Sequence, residues 1–345
     1  MQPRTPGRAR RVPFRWLAPA CIVASAGCLV YAWLFNAINP DVDGTALALL
    51  AFGALFISSF WVYPAVGLGV GVVASTLLRQ RRWAIAGGAP LALGLAPSLL
   101  TLPLGSHTPT GDTLCVMSAN LCYGRGDVDR LFEQIDRIAP DVLLLQEYTD
   151  EFAARAGDRL HARFPHAIEV PAGDAFGQAV FSSFPFVAKP RIYPASKSRP
   201  NSGWPAQIHA EIDVNGTRVA IMNVHLLPPA GVQMVIDQHR MADGLAESLA
   251  SSDRPAILAG DFNSSERGLP MRRVLNAGFR SVHREGGLGI GATWPRLGAL
   301  RHLPGTRLDH VLFREGSLRL IEQGVGRDFA SDHRPVWARF EVVRN

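Results

Sequence analysis

The chain has 345 residues, 48% of them apolar and 19% charged, which excludes a disordered or fibrous protein and leaves room for about two domains. Its 33 glycines and 25 prolines follow no period, and four cysteines are too few for a disulfide framework. The net charge of +6 sits at one end: residues 1–110 hold eight arginines against Asp41 and Asp43, while residues 111–345 hold 27 basic and 27 acidic side chains. A neutral C-terminal part argues against nucleic-acid binding driven by overall charge, although a local basic patch is compatible with it.

Residues 1–15 form a basic N-terminus. Residues 16–38 are an uncharged run of 23, enough to span a bilayer. The rival, a signal peptide, has an apolar region of only ~7–15 residues, so a retained span is expected. A second uncharged run, 45–78, would measure ~51 Å as one helix against a hydrocarbon core of ~30 Å; Pro64 marks a candidate kink. A third, 83–104, contains Pro90 and Pro97. Excess arginine stays on the cytoplasmic side. The N-terminal arginines and Arg79, Arg81 and Arg82 then share that side, which requires the middle run to cross once. The expectation is three spans (16–38, 45–78, 83–104), a multi-pass cell-membrane anchor, and an extracytoplasmic C-terminal module. Four spans would put that module inside. Residues 105–112 read as a polar linker.

Residues 113–345 alternate between strand and helix patterns. Strands are predicted at 113–120, 141–146, 178–182, 206–214, 218–223, 256–258, 308–313 and 336–343, and helices at 128–139, 151–164 and 231–251. Asn215-Gly216 is a hairpin signal. The mixture predicts sheets with helices packed outside. Cys115 and Cys122 open this module, and their pairing is left open.

Six apolar strands run into a polar residue, where a rigid element meets a loop. Asn120 ends the first and, taken alone, reads more readily as a turn residue. Glu147 follows the apolar run Leu143 to Leu145 and needs either a salt-bridge partner or a hard divalent cation. His225 shares a strand face with Asn223; an isolated strand histidine is often structural. In Gly260-Asp261-Phe262-Asn263, the carboxylate and amide two residues apart can aim at one metal, water or phosphate oxygen, with an Asx turn as the plainer alternative. The last two are Asp309-His310 and Asp332-His333. Neighbours on a strand point to opposite faces, so Asp309 is the better partner for His333, leaving Asp332 for a metal.

In this order these sites resemble the endonuclease/exonuclease/phosphatase (DNase I-like) superfamily over about residues 113–343. Gly177 to Pro185 looks like the family's glycine-to-Ser-Arg-Pro segment, with Ser183 where a basic residue is common. The resemblance implies a four-layered α/β sandwich, here preceded by an N-terminal α-helical transmembrane region. It implies Mg²⁺ or Mn²⁺ at Glu147 beside Asn120, with Asp332 completing the site. Asp261 would orient or deprotonate the attacking water, Asn263 and His225 would hold phosphate oxygens, and His333 oriented by Asp309 would stabilise developing charge. The spans together with Gly291-Ala292-Thr293-Trp294-Pro295 are similar to a bacterial membrane-anchored branch that includes a teicoplanin-resistance membrane protein. Trp294 is a candidate for the substrate cleft, or a core aromatic.

The expected function is a metal-dependent phosphoesterase hydrolysing a phosphodiester or pyrophosphate bond, with the bilayer and a lipid-linked phosphate substrate as partners at the outer membrane face. A membrane-tethered nuclease is the alternative and predicts a basic groove, for which Arg267, Arg272 and Arg273 are candidates. A non-catalytic membrane binding or resistance protein is a third, disfavoured by the complete set Glu147, His225, Asp261, Asn263, Asp309 and His333.

Overall fold

The computed structural model describes residues 14–40, 45–99, 109–193, 204–250, 254–314, 316 and 318–343. Most of the basic N-terminus, Asp41 and Asp43, the end of the third uncharged run and half of the linker lie outside these residues. Four helices come first: α1 (Phe14–Phe35), α2 (Thr45–Ser59), α3 (Val62–Leu77) and α4 (Arg81–Leu99). Within α1, Trp16–Phe35 is long and apolar enough to cross a membrane, and 28% of its most apolar window is buried inside the protein. The run 45–78, expected to cross once, is built as two helices bent by 67°. Pro64 has no N–H to offer the Phe60 carbonyl, and Tyr63 N–H takes it at 3.0 Å, turning the chain at the start of α3. Small residues let these helices approach closely: Gly67 lies against Ser25, Gly71 against Ile22, and Gly87 against Val72 and Ile22. The descending order of these contacts makes α3 antiparallel to α1.

The remaining elements are β1 (Asp112–Asn120), α5 (Val128–Ile138), β2 (Val142–Gln146), α6 (Asp150–Arg163), β3 (His166–Val170), β4 (Gln178–Ser182), β5 (Arg191–Tyr193), β6 (Gln207–Val214), β7 (Thr217–His225), α7 (Val232–Ala250), β8 (Ala256–Asp261), α8 (Leu269–Asn276), β9 (Arg280–Ser281), α9 (Val282–Gly286), β10 (Asp309–Phe313), β11 (Leu318–Val325) and β12 (Val336–Val342). They form two six-stranded sheets, ordered β11-β12-β1-β2-β4-β3 and β5-β6-β7-β8-β10-β9. Each sheet has one parallel pair near its middle, β1 with β2 and β7 with β8, and antiparallel pairs elsewhere.

Strand alternation sets the layers. Leu144 faces inward with Leu114, Val116, Ile221, Ile257 and Phe340 in the core between the sheets. Its neighbours Leu143 and Leu145 face outward onto Leu131 and Ile135 of α5 and Phe152 and Leu160 of α6. On the far side, Met222 and Leu258 pack on Met241 and Leu245 of α7 and Met271 and Val274 of α8. The layers are therefore helices, sheet, sheet, helices, the four-layered sandwich that the family resemblance implies.

Candidate active site

Parallel strands end on the same side, and the register brings specific residues to those ends. Asn120 pairs with Gln146 across β1 and β2, one residue before Glu147. His225 pairs with Asp261 across β7 and β8, and Asp261 pairs with Asp309 across β8 and β10. The two sheets face each other, so one crevice receives all of these groups. A close approach at this end demands glycine: a Cβ on Gly260 (φ 153°) would lie 1.8 Å from the Val224 carbonyl oxygen. Glu147 and Asn263 take left-handed backbone, φ 57° and 47°, a conformation that turns their side chains off the strand ends and carries local strain.

Asp261 is 1% exposed and sits at the centre. The Asn120 side-chain amide donates to its Oδ2 at 3.0 Å and to Glu147 Oε1 at 3.0 Å. The backbone N–H of Asn263 donates to the other Asp261 oxygen at 2.8 Å. Nε2 of His333 and of His225 lie 3.7 and 3.9 Å from Asp261 Oδ2. His225 Nε2 is also 4.0 Å from Glu147. On the far edge of its ring, His333 Nδ1 donates to Asp309 Oδ2 at 2.7 Å. The Asn263 amide donates to the Leu226 carbonyl at 2.9 Å, which fixes the side chain's orientation. Trp294 Nε1 donates to Asp332 at 3.2 Å. The residues put forward for the metal, catalytic and cleft roles, Asn120, Glu147, His225, Asp261, Asn263, Trp294, Asp309, Asp332 and His333, thus lie in or at the rim of one crevice.

Burial governs the charges. It raises the Asp261 carboxyl well above its ordinary range, against the pull of His333. Burial likewise raises Glu147, opposed by the hydrogen bonds from Asn120 and Tyr123. Burial works against a charge on His333, but Asp309 and Asp261 outweigh it and hold the imidazolium. Burial and the neighbouring His333 lower His225 to about 3, keeping it neutral. The crevice therefore pairs a neutral imidazole with a charged one.

The donor set suits a hard divalent cation. Glu147, Asp261, Asp309 and Asp332 supply oxygens, and an added positive charge would stabilise the ionised form of the two that burial raises, Glu147 and Asp261. Asp309 Oδ1 is buried with no hydrogen-bond partner among the described residues. Asp261, Asp309 and His333 also form a buried group whose ligand atoms lie within 4.8 Å of one another.

Several supporting residues carry no sequence signal of their own. Tyr123 N–H donates to Glu147 at 2.6 Å. Gln207 clamps the His225 backbone from both sides, at 3.0 and 2.6 Å. Thr293 Oγ1 accepts from the Leu308 and Asp309 N–H groups. Ser331 accepts from His333 N–H and donates to the Asn120 carbonyl. Asn223, on the same face as His225, is tied by Gln146 at 2.6 Å and donates to Leu145 and Ala179.

Arg267, Arg272 and Arg273, the candidates for a nuclease's basic groove, do not line this crevice. Arg273 pairs with Asp243 at 2.7 Å, Arg267 lies over the Trp61 ring, and Arg272 donates to the Asn36 carbonyl at 2.7 Å. Cys115 and Cys122 are free and buried, and burial pushes each thiol up to about 12.

A family model described as Endonuclease/Exonuclease/phosphatase family matches residues 117–333. No curated protein matches the chain. Among solved structures, an endonuclease/exonuclease/phosphatase from Beutenbergia cavernae DSM 12333 is 21% identical, with a TM-score of 0.54, over 67% of this chain and 72% of that one. D. rerio TDP2 complexed with single-strand DNA product is 16% identical, with a TM-score of 0.53, over 66% of this chain and 98% of its own. The human Nocturnin catalytic domain with bound sulfate anion is 16% identical, with a TM-score of 0.53, over 68% and 97%. At these identities the likeness is one of fold, whereas the family match spans β1 to the loop before β12; the chain belongs to the endonuclease/exonuclease/phosphatase family, whose members hydrolyse phosphoester bonds.

Proposed function

We propose that the protein is a membrane-tethered, divalent-metal-dependent phosphoesterase that cleaves a phosphodiester or pyrophosphate bond of a lipid-linked substrate at the outer membrane face. The observation that carries this is the contact between the site's rim and the apolar helices. The Phe60 ring, at the bend between α2 and α3, lies 6.0 Å from the Trp294 ring, whose indole N–H holds Asp332. Tyr63 donates to the Pro304 carbonyl at 2.8 Å, and Ser265 donates to the Ser58 carbonyl at 3.3 Å. Exposed apolar side chains on the same helices, among them Trp33 at 79% and Leu77 at 78%, suit a lipid environment. The sidedness follows from charge. The N-terminus of α3 touches the module, and Arg79, Arg81 and Arg82 follow its opposite end, with the start of antiparallel α1. With those arginines cytoplasmic, α1, α3 and α4 cross, α2 lies beneath the module, and the module is outside.

Glu147, with Asn120 and Asp332 alongside, would hold Mg²⁺ or Mn²⁺, which would supply positive charge against the phosphoryl oxygens. The chain's own groups do the rest. Asp261, held by Asn120 and Asn263 N–H, orients the attacking water and accepts its proton, which its raised affinity for protons favours. Neutral His225 and the Asn263 amide hold phosphate oxygens. The His333 imidazolium, fixed at Nδ1 by Asp309, presents Nε2–H to the charge that builds in the transition state. Trp294 forms the wall of the cleft nearest the membrane.

The test is Mg²⁺-dependent phosphate release by the purified full-length protein from lipid pyrophosphates, phospholipids and DNA. Release from a lipid substrate, lost in His333→Ala, is the expected result; cleavage of DNA alone would replace this function with that of a tethered nuclease. The DNA product in the TDP2 structure makes that the alternative, but the three arginines that would favour it face elsewhere.

A further inference from the structure

A second cavity, of about 600 Å³, lies between the N-terminal helices and the catalytic module. None of the catalytic candidates lines it. Its module wall carries Arg267, Arg272, Arg284 and Arg307 against one carboxylate, Glu266. Glu266 is already committed, accepting from Arg284 and Ser281. His283 also faces the cavity; burial and Arg307 lower it to about 4, so it stays neutral. Arg307 is 5% exposed. Its Nη1 donates to Gly291 O at 3.2 Å, while its Nε and that of Arg272 are buried with no hydrogen-bond partner among the described residues. Burial lowers Arg307 only to about 10, so it keeps its proton at neutral pH. The cavity therefore holds an excess of three positive charges, and buried guanidinium groups with open donors call for an anion.

The opposite wall identifies the anion's other half. It is built from Leu29, Trp33, Ile57 and Trp61 of the apolar helices and the bend between them. Guanidinium forks match phosphate oxygens, and a cavity with one basic wall and one apolar wall matches a phosphate carried on hydrocarbon chains.

We infer that this cavity binds an anionic glycerophospholipid, with its phosphate on Arg267, Arg272 and Arg307 and its acyl chains along α1 and α2. The acyl-chain half rests on the membrane-tethered function above; the bound lipid need not be the one cleaved. It would fasten the module to its helices through the ligand as well as through side chains.

Trp33 and Trp61 report on the site directly. Full-length protein in detergent micelles is titrated with phosphatidylglycerol bearing brominated chains, which quench nearby tryptophan. Saturable quenching at least tenfold tighter than with brominated phosphatidylcholine, and weakened tenfold or more in Arg267→Gln/Arg272→Gln, is expected. Equal binding of the two lipids, or quenching unchanged in the variant, overturns the inference. Inorganic phosphate that displaces the lipid with equal affinity overturns the lipid assignment in favour of a free phosphate. If the double variant fails to fold, Arg284→Gln, at the rim, is expected to weaken binding severalfold with folding kept, and unchanged binding there overturns it. Asp261→Asn, inactive in phosphate release, is expected to bind the lipid normally, so failure of this site and failure of the catalytic assignment are read separately.

Discussion

The Nδ1–Oδ2 bond of 2.7 Å between His333 and Asp309 lets one carboxylate set the aim of an imidazole and contribute, with Asp261, to its charge. Asp309→Asn keeps the shape but removes the charge, and phosphate release is expected to fall by ~10²–10⁴ while circular dichroism stays native. Gly260 is constrained by backbone, since a Cβ would meet the Val224 carbonyl at 1.8 Å. Gly260→Ala is expected to lower stability by at least about 1–3 kcal/mol, read as a lower thermal midpoint in detergent. Outside the site, burial and the cross-strand Arg191 lower His209 to about 4 from its ordinary 6.5. The unfolded chain therefore binds a proton that the folded chain excludes. Its contribution is full above about pH 6.5 and is lost as pH falls toward 4, so His209→Gln is expected to unfold less readily at pH 5 relative to pH 7 than the wild type. Among the site residues, those that end an apolar strand were legible in the sequence, because a carboxylate or imidazole there breaks the hydrophobic run. Tyr123, Gln207, Thr293 and Ser331 were not, because they act on or through backbone groups whose partners come from distant elements.

At the scale of elements, the bend between α2 and α3 joins the apolar helices to the rim of the crevice. Phe60→Ala removes the ring next to Trp294, a contact of about 0.5–1.5 kcal/mol. Phosphate release from a lipid substrate is expected to drop severalfold, with little change on a small soluble phosphoester assayed in parallel. The elements that the sequence pattern missed share physical causes. β3 is half-buried along its whole length, so it lacks strong alternation. In β11 a register shift between Leu320 and Glu322 interrupts the period. β8 was expected to stop at residue 258, yet it runs to Asp261 because pairing with β10 carries a glycine and a carboxylate into the ladder. The bend itself was visible only as Pro64; that it would face the active crevice depends on packing no local pattern encodes.

The whole molecule divides its charge between a basic helical end and a neutral module. A neutral module predicts weak ionic-strength dependence: raising salt from about 50 to 200 mM should change release from a lipid substrate by less than tenfold, whereas a nuclease making many phosphate contacts would lose ~10³–10⁵ in affinity. The same assay series therefore separates the two functions without a variant. The sandwich also closes late. β1 is the first strand of the module, yet one of its edges pairs with β12, Asp112 opposite Val342. His333 lies three residues ahead of β12. A ribosome releases the four helices and most of both sheets before it reaches either. Until then β1 presents an open edge, which invites pairing with other chains, and the crevice lacks its charged imidazole. Completing the sheet and completing the site are thus one event in synthesis, so a prematurely stopped chain has an incomplete crevice and an open strand edge at once.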